Sequence, residues 1–544
     1  MKIARNCFSR SNLKWALVLF CLMTTAAYAE SPRWVRAISS QGSGNSCDPA
    51  QCDDTSYAIK VGPDNQQYVT GRFSGTATFG GTTLVSAGGL DFFLAKYGRF
   101  GELLWIVQAG GPGDDGGTSL DFDGAGSIYV TGGFTSTAIF GSTNGATQTV
   151  TGTGSTIFLA KYRPSGALVW VQTGVVPLDE TNGGNGVVVD PAASTVYITA
   201  VSQGDVTFSS ADGTLNTVPG VGTWHMVLVK YDTSGNFKWG ETNAAEPNSI
   251  PYAVAVDAKD NVYVTGWLED TTTFSSTDGN AITVTGFSPA QTTGDYPDDA
   301  FLVKYDANGN AKWVNHIGGY VARTSAVAVS PDGEVSIAGL IGNINFGSAG
   351  EAETIATSQP PGTNINLGGG DFTNPYNSDT FIATYDAAGV LRRALRKGDS
   401  NQEAATGIAY DAVGDLYVAG IFQDTKYPQN LFVLKFSENT LLWEKVAENA
   451  GVCITDNNVL TPSVSVGPAG DIFVTGVYQG TATFGDITLV GTGSSDIYVA
   501  ELAPEWFLSC DELVDGRTAS ASAAVFPEPL RDRGRGSANS RRML

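Results

Sequence analysis

Ala253-Val254-Ala255-Val256-Asp257, then Val262-Tyr263-Val264-Thr265-Gly266, then Phe301-Leu302-Val303-Lys304-Tyr305, and finally Ala311-Lys312-Trp313: four short runs in this order carry the architecture of the chain in a single copy. In each, apolar residues alternate with small or polar ones, the period-two signature of a strand with two unlike faces. The first and second runs are joined by Asp257-Ala-Lys-Asp-Asn261, the third and fourth by Asp306-Ala-Asn-Gly-Asn310. Both joints are rich in the Asp, Asn and Gly that tight turns need: Gly reaches positive φ cheaply, and Asp or Asn bonds nearby backbone. The unit reads as four antiparallel strands with two tight turns at one end and a long connection at the other.

The unit recurs along the chain. Its second run returns as Tyr68–Gly71, Tyr129–Gly132, Tyr197–Ala200, Ser336–Gly339, Tyr417–Gly420 and Phe473–Gly476, which with Tyr263–Gly266 makes seven copies. The third run returns as Phe93–Tyr97, Phe158–Tyr162, Val227–Tyr231, Phe381–Tyr385, Phe432–Phe436 and Tyr498–Leu502, and the fourth ends in Trp105, Trp170, Trp239 or Trp443. A lone four-stranded unit leaves its faces wet, whereas radial stacking buries them, and closing the ring protects the ends of the array. The fold expected is therefore all-β: a seven-bladed β-propeller with four-stranded blades. Blade seven has no Trp run after Tyr498–Leu502, and the missing piece stands at the other end of the chain as Trp34-Val35-Arg36. The ring is expected to close by that N-terminal strand joining the last blade, with Trp34 in the position Trp170 holds in blade two. In blade five the Trp position is taken by Arg393.

The string Tyr-Asp-x-x-Gly-Asn-x-x-Trp, with Val-Tyr-Val-Thr-Gly upstream, resembles the SBBP family of seven-bladed β-propeller repeat proteins of bacteria, over roughly residues 31–507. The resemblance implies the propeller fold and an exported or surface location; members mostly have no assigned activity. Tyr231-Asp232-Thr233-Ser234-Gly235 followed by Trp239 is also similar to the tryptophan-docking repeat of quinoprotein propellers, in blade logic alone.

Composition narrows the function classes. Among 544 residues there are 67 Gly, 54 acidic and 31 basic side chains, giving a net charge of -23, with a hydrophobic fraction of 42%. So acidic a chain is a poor partner for phosphate backbones, so much Gly disfavours a helical bundle, and the apolar content disfavours bulk disorder. Lys2, Arg5, Arg10 and Lys14, an apolar run over Trp15–Leu22, and Ala27-Tyr28-Ala29 have the layout of a secretory signal peptide over 1–29, too short to span a membrane as a stable anchor. Residues 30–510 are then a single propeller, and 511–544 a basic disordered tail. The expected location is secreted, extracellular or at the cell surface, with the periplasm as alternative, and the expected state a monomer with no membrane segment after cleavage. Cys47, Cys52, Cys453 and Cys510 remain as an even set, read as disulfide candidates of open connectivity rather than as a zinc site.

The tight turns lie on one face, and the long, uneven connections, including 267–298 and 340–378, lie on the other. Long variable loops are where binding residues concentrate. Trp267, Asp295, Tyr296, Asp298, Asp371, Phe372 and Tyr376 stand in or beside them and form the candidate binding set, together with Asp299 and His225. The last two belong to a series at the start of each third strand: Asp91, Thr156, His225, Asp299, Asp379, Asn430 and Asp496. The series reads as backbone capping or as an acidic rim, with capping preferred. The Thr-Phe-Gly-like elements around Phe79, Phe140, Phe346 and Phe484 read as small hairpins rising off the blades, and the repeated Lys at 96, 161, 230, 304 and 435 as solvated or locally paired. No G-x-S-x-G elbow, H-E-x-x-H or P-loop is present, and only two His exist. The expected function is a non-catalytic scaffold that binds a protein or glycan through the long-loop face. One alternative is a carbohydrate-active hydrolase or lyase using paired acids such as Asp114-Asp115 or Asp298-Asp299. The other is a calcium-dependent adhesin or envelope component, calcium being the one cofactor the Asp-rich turns suggest.

Overall fold

A computed structural model describes residues 32–42, 54–176, 183–190, 192, 194–220, 223–246, 248–286, 298–318, 322–342, 353–356, 364–366, 378–398, 403–423, 429–438, 440–451, 462–493 and 495–503. The chain divides into residues 1–504 and 505–544, and every described residue lies in the first unit. Its regular elements are all strands. Cys47, Cys52, Cys453 and Cys510 lie outside the described residues, as do Asp295, Tyr296, Asp371, Phe372 and Tyr376.

The strands pair into seven antiparallel four-stranded meanders. Blade one is Thr55–Val61, Gln67–Phe79, Thr82–Tyr97 and Leu103–Gly110; blade two is Gly116–Phe122, Ile128–Phe140, Gln148–Tyr162 and Leu168–Val175. Blade three is Gly183–Val189, Thr195–Ser202, His225–Asp232 and Phe237–Glu246; blade four is Ser249–Val256, Val262–Glu269, Asp298–Tyr305 and Ala311–Gly318. Blade five is Ala322–Val329, Val335–Gly342, Ser378–Tyr385 and Leu391–Lys397; blade six is Glu403–Tyr410, Leu416–Gln423, Gln429–Ser437 and Thr440–Ala447. Blade seven is Ser463–Val466, Ile472–Tyr478 and Asp496–Leu502, completed by Trp34–Ser39 from the other end of the chain. Each first strand touches the first strands of both neighbours, and the first strand of blade one touches that of blade seven, so the array closes on itself. The apolar cores sit between blades. Tyr68, Phe92 and Leu94 of blade one pack with Val130, Phe140 and Phe158 of blade two, and Ile59, Val69 and Phe93 of blade one pack with Phe473, Ile497 and Val499 of blade seven.

Repeated glycines mark a bulge. In blade four the register slips between Pro251 and Ala253, leaving Tyr252 as the extra residue opposite Gly266. A Cβ on Gly266 would overlap the Ile250 carbonyl oxygen, so the last residue of the Tyr-Val-Thr-Gly run has to be Gly for the bulged strand to come this close.

In blades one, three and four the third and fourth strands are locked to the next blade by a polar dock. Lys230 Nζ and Trp239 Nε1 of blade three both donate to the Ala307 carbonyl in the tight turn of blade four, at 2.9 and 3.2 Å. Blade one does the same to Pro164 O with Lys96 and Trp105, and blade four to Ala387 O with Lys304 and Trp313. The indole lies over the turn glycine: Gly309 (φ +84) faces Trp239, and Gly389 (φ +85) faces Trp313. The same Lys sits over the ring of the second-strand Tyr, with Lys230 Nζ 4.9 Å from the Tyr197 centroid and Lys161 Nζ 4.8 Å from that of Tyr129. Lys96, Lys230 and Lys304 are therefore buried rather than solvated, and Lys161 half-buried: the third strand lies inside the blade, and the aliphatic stem runs along the Tyr ring. They are also ion-paired, Lys96 to Asp64 at 2.7 Å and Lys230 to Asp260 at 2.9 Å.

The closure of the ring corrects the expected register of Trp34. In blade two Leu168 pairs with Tyr162 and Trp170 with Lys161; in blade seven Trp34 pairs with Leu502 and Arg36 with Glu501. Trp34 thus takes the place of Leu168, and Arg36 the place of Trp170. Trp34 packs on Phe484 and donates from Nε1 to Val446 O of blade six at 3.1 Å. Arg36 performs the dock: it pairs with Glu501 at 2.8 Å, donates to Arg99 O in the blade-one turn at 2.8 Å, and lies against Gly101. An Arg–Glu pair replaces the Trp–Lys pair, which is why a search by Trp alone misplaces the strand. Arg393 does hold the Trp position of blade five, opposite Thr384.

The hairpins after the second strands do not rise free. Those of blades one to four and of blade seven reach back to the outer strand of the preceding blade, while Phe346 lies outside the described residues. Phe140 and Ile139 pair with Ala109 and Gly110, Phe208 with Gly174, Phe274 with Asn243, and Thr78 with Gln41. Their phenylalanines, Phe79, Phe140, Phe208, Phe274 and Phe484, are fully buried. The Thr-Phe-Gly element is a clip between blades, drawn down because a Phe on a two-stranded arm gains about 2 kcal/mol or more by burial and nothing by standing in water.

Candidate functional site

On the long-loop face the repeat departs most from itself where blade four meets blade five. Trp267 follows Gly266, where the other blades carry Arg72, Gly133, Val201, Leu340, Ile421 and Val477. Its Nε1 donates to the hydroxyl of Tyr252, the bulge residue, at 3.0 Å. The Arg323 guanidinium lies over the indole, 4.9 Å from its centre, and Nε donates to Asp298 Oδ2 at 2.6 Å. Glu269 is the ladder partner of Asp298, and its Oε2 accepts from Asn248 Nδ2 at 2.9 Å. Burial, followed by the charge of Asp298, pushes the Glu269 carboxyl up to about 7. Burial also raises Asp298, against the opposing pull of Arg323.

The long loops of blades four and five re-enter the sheet at Asp298-Asp299 and Ser378-Asp379, and these roots are clamped. Asp299 Oδ2 meets His316 Nε2 of the fourth strand at 3.0 Å. Asp379 forms a buried ion pair with Arg396, which occupies the same fourth-strand register. Ser378 Oγ donates to Glu403 O of blade six at 3.1 Å. Elsewhere the same series caps backbone: Asp91 accepts from Ala87 N at 3.0 Å, Asn430 from Asn449 N at 2.9 Å, and Asp496 from Gly42 N at 2.8 Å and Thr492 N at 2.9 Å. The whole series is buried, so none of these side chains stands as an open rim. His225 is packed against Gly220, and burial lowers it to about 4, so its imidazole is neutral.

Of the candidate residues, the structure brings Trp267 and Asp298 into one cluster, places Asp299 beside it on His316, and leaves His225 on blade three. Tyr252, Arg323, Glu269 and Arg396 complete the arrangement and carry no motif of their own. The bulge that turns Tyr252 toward Trp267 is a property of paired strands, and Arg323 belongs to the next blade, so no spacing within one repeat joins them. Among the described residues no group of three or more His, Cys, Asp or Glu side chains is arranged to hold a metal ion, and no helix is long and apolar enough to cross a membrane. The tight-turn aspartates are spent locally: Asp257 Oδ1 accepts from Lys259 N and Asn261 N, and Asp306 Oδ1 from Asn308 N and Asn310 N.

No family model matches the chain. It is 25% identical over 388 residues to an uncharacterized WD repeat-containing protein, L264, of Acanthamoeba polyphaga mimivirus, a match covering 63% of this chain and 27% of that one. The chain thus spans about a quarter of the length of that relative. Solved structures similar to it include the Dos1 propeller, with a TM-score of 0.38 at 9% identity over 86% of this chain and 95% of that one. They also include virginiamycin B lyase from Staphylococcus aureus, with a TM-score of 0.36 at 9% identity over 86% and 99%.

Proposed function

We propose that the protein is a binding scaffold that engages a protein or glycan through the long loops of blades four and five. The observation that carries this reading is the pair of clamped roots. Asp298 and Asp299 directly follow the loop holding Asp295 and Tyr296, and Ser378 and Asp379 directly follow the loop holding Asp371, Phe372 and Tyr376. Each root is held by buried side-chain pairs, the Arg323–Asp298 and Arg396–Asp379 ion pairs and the His316–Asp299 contact. Buried pairs are costly to assemble and are a way of fixing one geometry; a fixed loop root lowers the ordering cost of binding. In this reading Trp267, Tyr252, Arg323 and Asp298 position the loops, and the loop residues make the contacts. The SBBP-like repeat and the signal-like start support an exported protein, in which the four remaining cysteines would pair as disulfides.

The test is binding by the Tyr296→Ala/Tyr376→Ala double variant, against a glycan array and by cross-linking on the native cell surface or in the medium. The expected result is loss of the partners that the wild type captures, with unchanged thermal unfolding. Retention of every partner by the double variant would sink the proposal. A second reading, a carbohydrate-active enzyme, draws on Glu269, whose carboxyl is held near 7 beside the ionisable Asp298, the kind of pair in which one acid keeps a proton for a leaving group. It predicts that Glu269→Gln abolishes glycan turnover while leaving glycan binding in place.

A further inference from the structure

The junction of blades one and two gathers carboxyl groups with no cation paired to them among the described residues. Asp91 opens the third strand of blade one and is fully buried. Its Oδ2 accepts from Ala87 N at 3.0 Å, while Oδ1, also buried, has no hydrogen-bond partner. Its carboxyl lies against Gly110, where a Cβ would overlap it. Asp115, also buried, comes from the connection that follows Gly110, and its backbone N–H bonds Leu90 O. The Asp115 carboxylate accepts from Gly111 N at 2.8 Å and Thr135 N at 3.1 Å, and so ties the connection to the hairpin of blade two.

Asp114 accepts from Leu90 N at 3.0 Å, adding negative charge. Asp54, across the second strand, accepts from Ser74 N. Arg72 neighbours Phe73, the ladder partner of Asp91, so it points to the other face of the strand, where it lies over the Tyr57 ring. The equivalent aspartates of blades four and five meet His316 and Arg396 from the fourth strand; the residue at that register in blade one is Gln108, which donates to Val85 O instead.

We infer that Asp91 carries a proton on Oδ1, and that this proton is a pH-operated latch closing the long-loop end of the blade one–blade two junction. A buried carboxylate oxygen without partner or counter-ion is expensive, and a proton on Asp91 Oδ1 lowers that cost by removing the buried charge. Burial places the two carboxyls at about 6 and about 7, Asp115 being raised further by Asp91 and Asp114. Both lie above the ordinary carboxylate value, so their stabilisation is present in acid and is lost as pH rises through that range. The latch is separate from the blade four–five loops and stands or falls independently of their role.

Asp91→Asn tests it. The amide keeps the acceptor for Ala87 N and puts a permanent N–H donor where the proton would be. The melting temperature of the wild type is expected to fall between pH 5 and pH 8, and that of the variant to fall by at least about 2 °C less. In the wild type itself, amide exchange at Gly111 and Thr135, corrected for intrinsic rates, should become faster relative to the rest of blade one above pH 7. An unchanged pH slope in the variant, or pH-independent protection of those amides, overturns the inference. So does a rise in the wild-type melting temperature at pH 8 on adding calcium that is absent from Asp91→Asn, because a cation would then fill the site assigned to the proton.

Discussion

Arg36→Ala should open the ring at its seam. Arg36 is the only dock between the strand that completes blade seven and the tight turn of blade one among the described residues that hold the Trp position there. Its removal takes away the ion pair to Glu501 at 2.8 Å and the charge-assisted bond to Arg99 O at 2.8 Å, and uncovers Gly101. The Glu501 side chain is 13% exposed and that of Arg36 is 26% exposed, so the full penalty for orphaning a buried charge, roughly 3–5 kcal/mol, has to be discounted for the solvent that reaches them. About 2 kcal/mol remains for the pair, and the lost bond to the carbonyl adds about 1 kcal/mol. The expected loss is about 3 kcal/mol, read as a lower urea midpoint at unchanged m-value. Burial already holds Glu501 at about 7 even with Arg36 beside it, so the orphaned carboxyl will protonate readily and the loss should be smaller at pH 5 than at pH 8. Arg36→Trp/Glu501→Lys rebuilds the Trp–Lys pair of the other blades and should recover most of the loss. A midpoint for Arg36→Ala within about 0.5 kcal/mol of wild type, or no recovery in the rebuilt pair, would refute the equivalence of Arg36 with Trp170.

Gly266→Ala forces a Cβ into the Ile250 carbonyl and should cost about 3 kcal/mol, checked by the same urea titration. Trp239→Ala removes a half-buried indole and its bond to Ala307 O and should cost about 3 kcal/mol, whereas Trp239→Phe, which keeps the stacking on Gly309 but not the bond, should lose about half as much. Acid should unfold the turns through Asp232 and Asp306. Burial tends to raise both, but the bonds from Lys238 and Asn236, and from Lys312 and Asn310, prevail and hold them at about 2. A lowered carboxyl stabilises above its unfolded value and ceases to do so as pH falls, so melting temperature should drop between pH 4 and pH 2, and less so in Asp232→Asn/Asp306→Asn.

The repeat was legible because its strands alternate with period two and its turns are written in Asp, Asn and Gly. Asp257 bonding Lys259 N and Asn261 N is the turn chemistry those residues announce. The return of the N-terminal strand to blade seven was legible from a missing run. Its register was not, because Arg36 carries out a Trp's task with different atoms, and the pattern holds residue types rather than donors. The clips were misread for a related reason. Phe140 looks like a loop residue in one dimension, and only the outer strand of the preceding blade, some thirty residues upstream, supplies the Ala109 that pairs with it. The candidate site was half legible: Trp267 and Asp298 stand out as departures from the repeat, while Arg323 and Tyr252 acquire meaning only through the blade interface and the bulge.

The distribution of buried charge argues that the ring is built to be uniform on the tight-turn face and unequal on the other. Below, Lys96, Lys161, Lys230, Lys304 and Arg36 repeat one task, each handing a bond to the next blade's turn carbonyl. Above, the same sequence position is solved in several ways: a capped backbone at Asn430 and Asp496, a neutral imidazole at His225, a histidine partner at Asp299, an ion pair at Asp379, and at Asp91 an acid with one unpartnered oxygen. Stability alone would favour one solution copied seven times, since the backbone-capping form needs no buried cation. The side-chain-paired form occurs where residues 287–297 and 343–377 have to be led back into the sheet, which ties the extra polar pair to the loops it holds rather than to the fold. Exchanging Asp299 and His316 for Asn and Gln should therefore leave the melting temperature nearly unchanged while weakening partner binding through residues 287–297; a large loss of stability with binding intact would assign the pair to the fold instead.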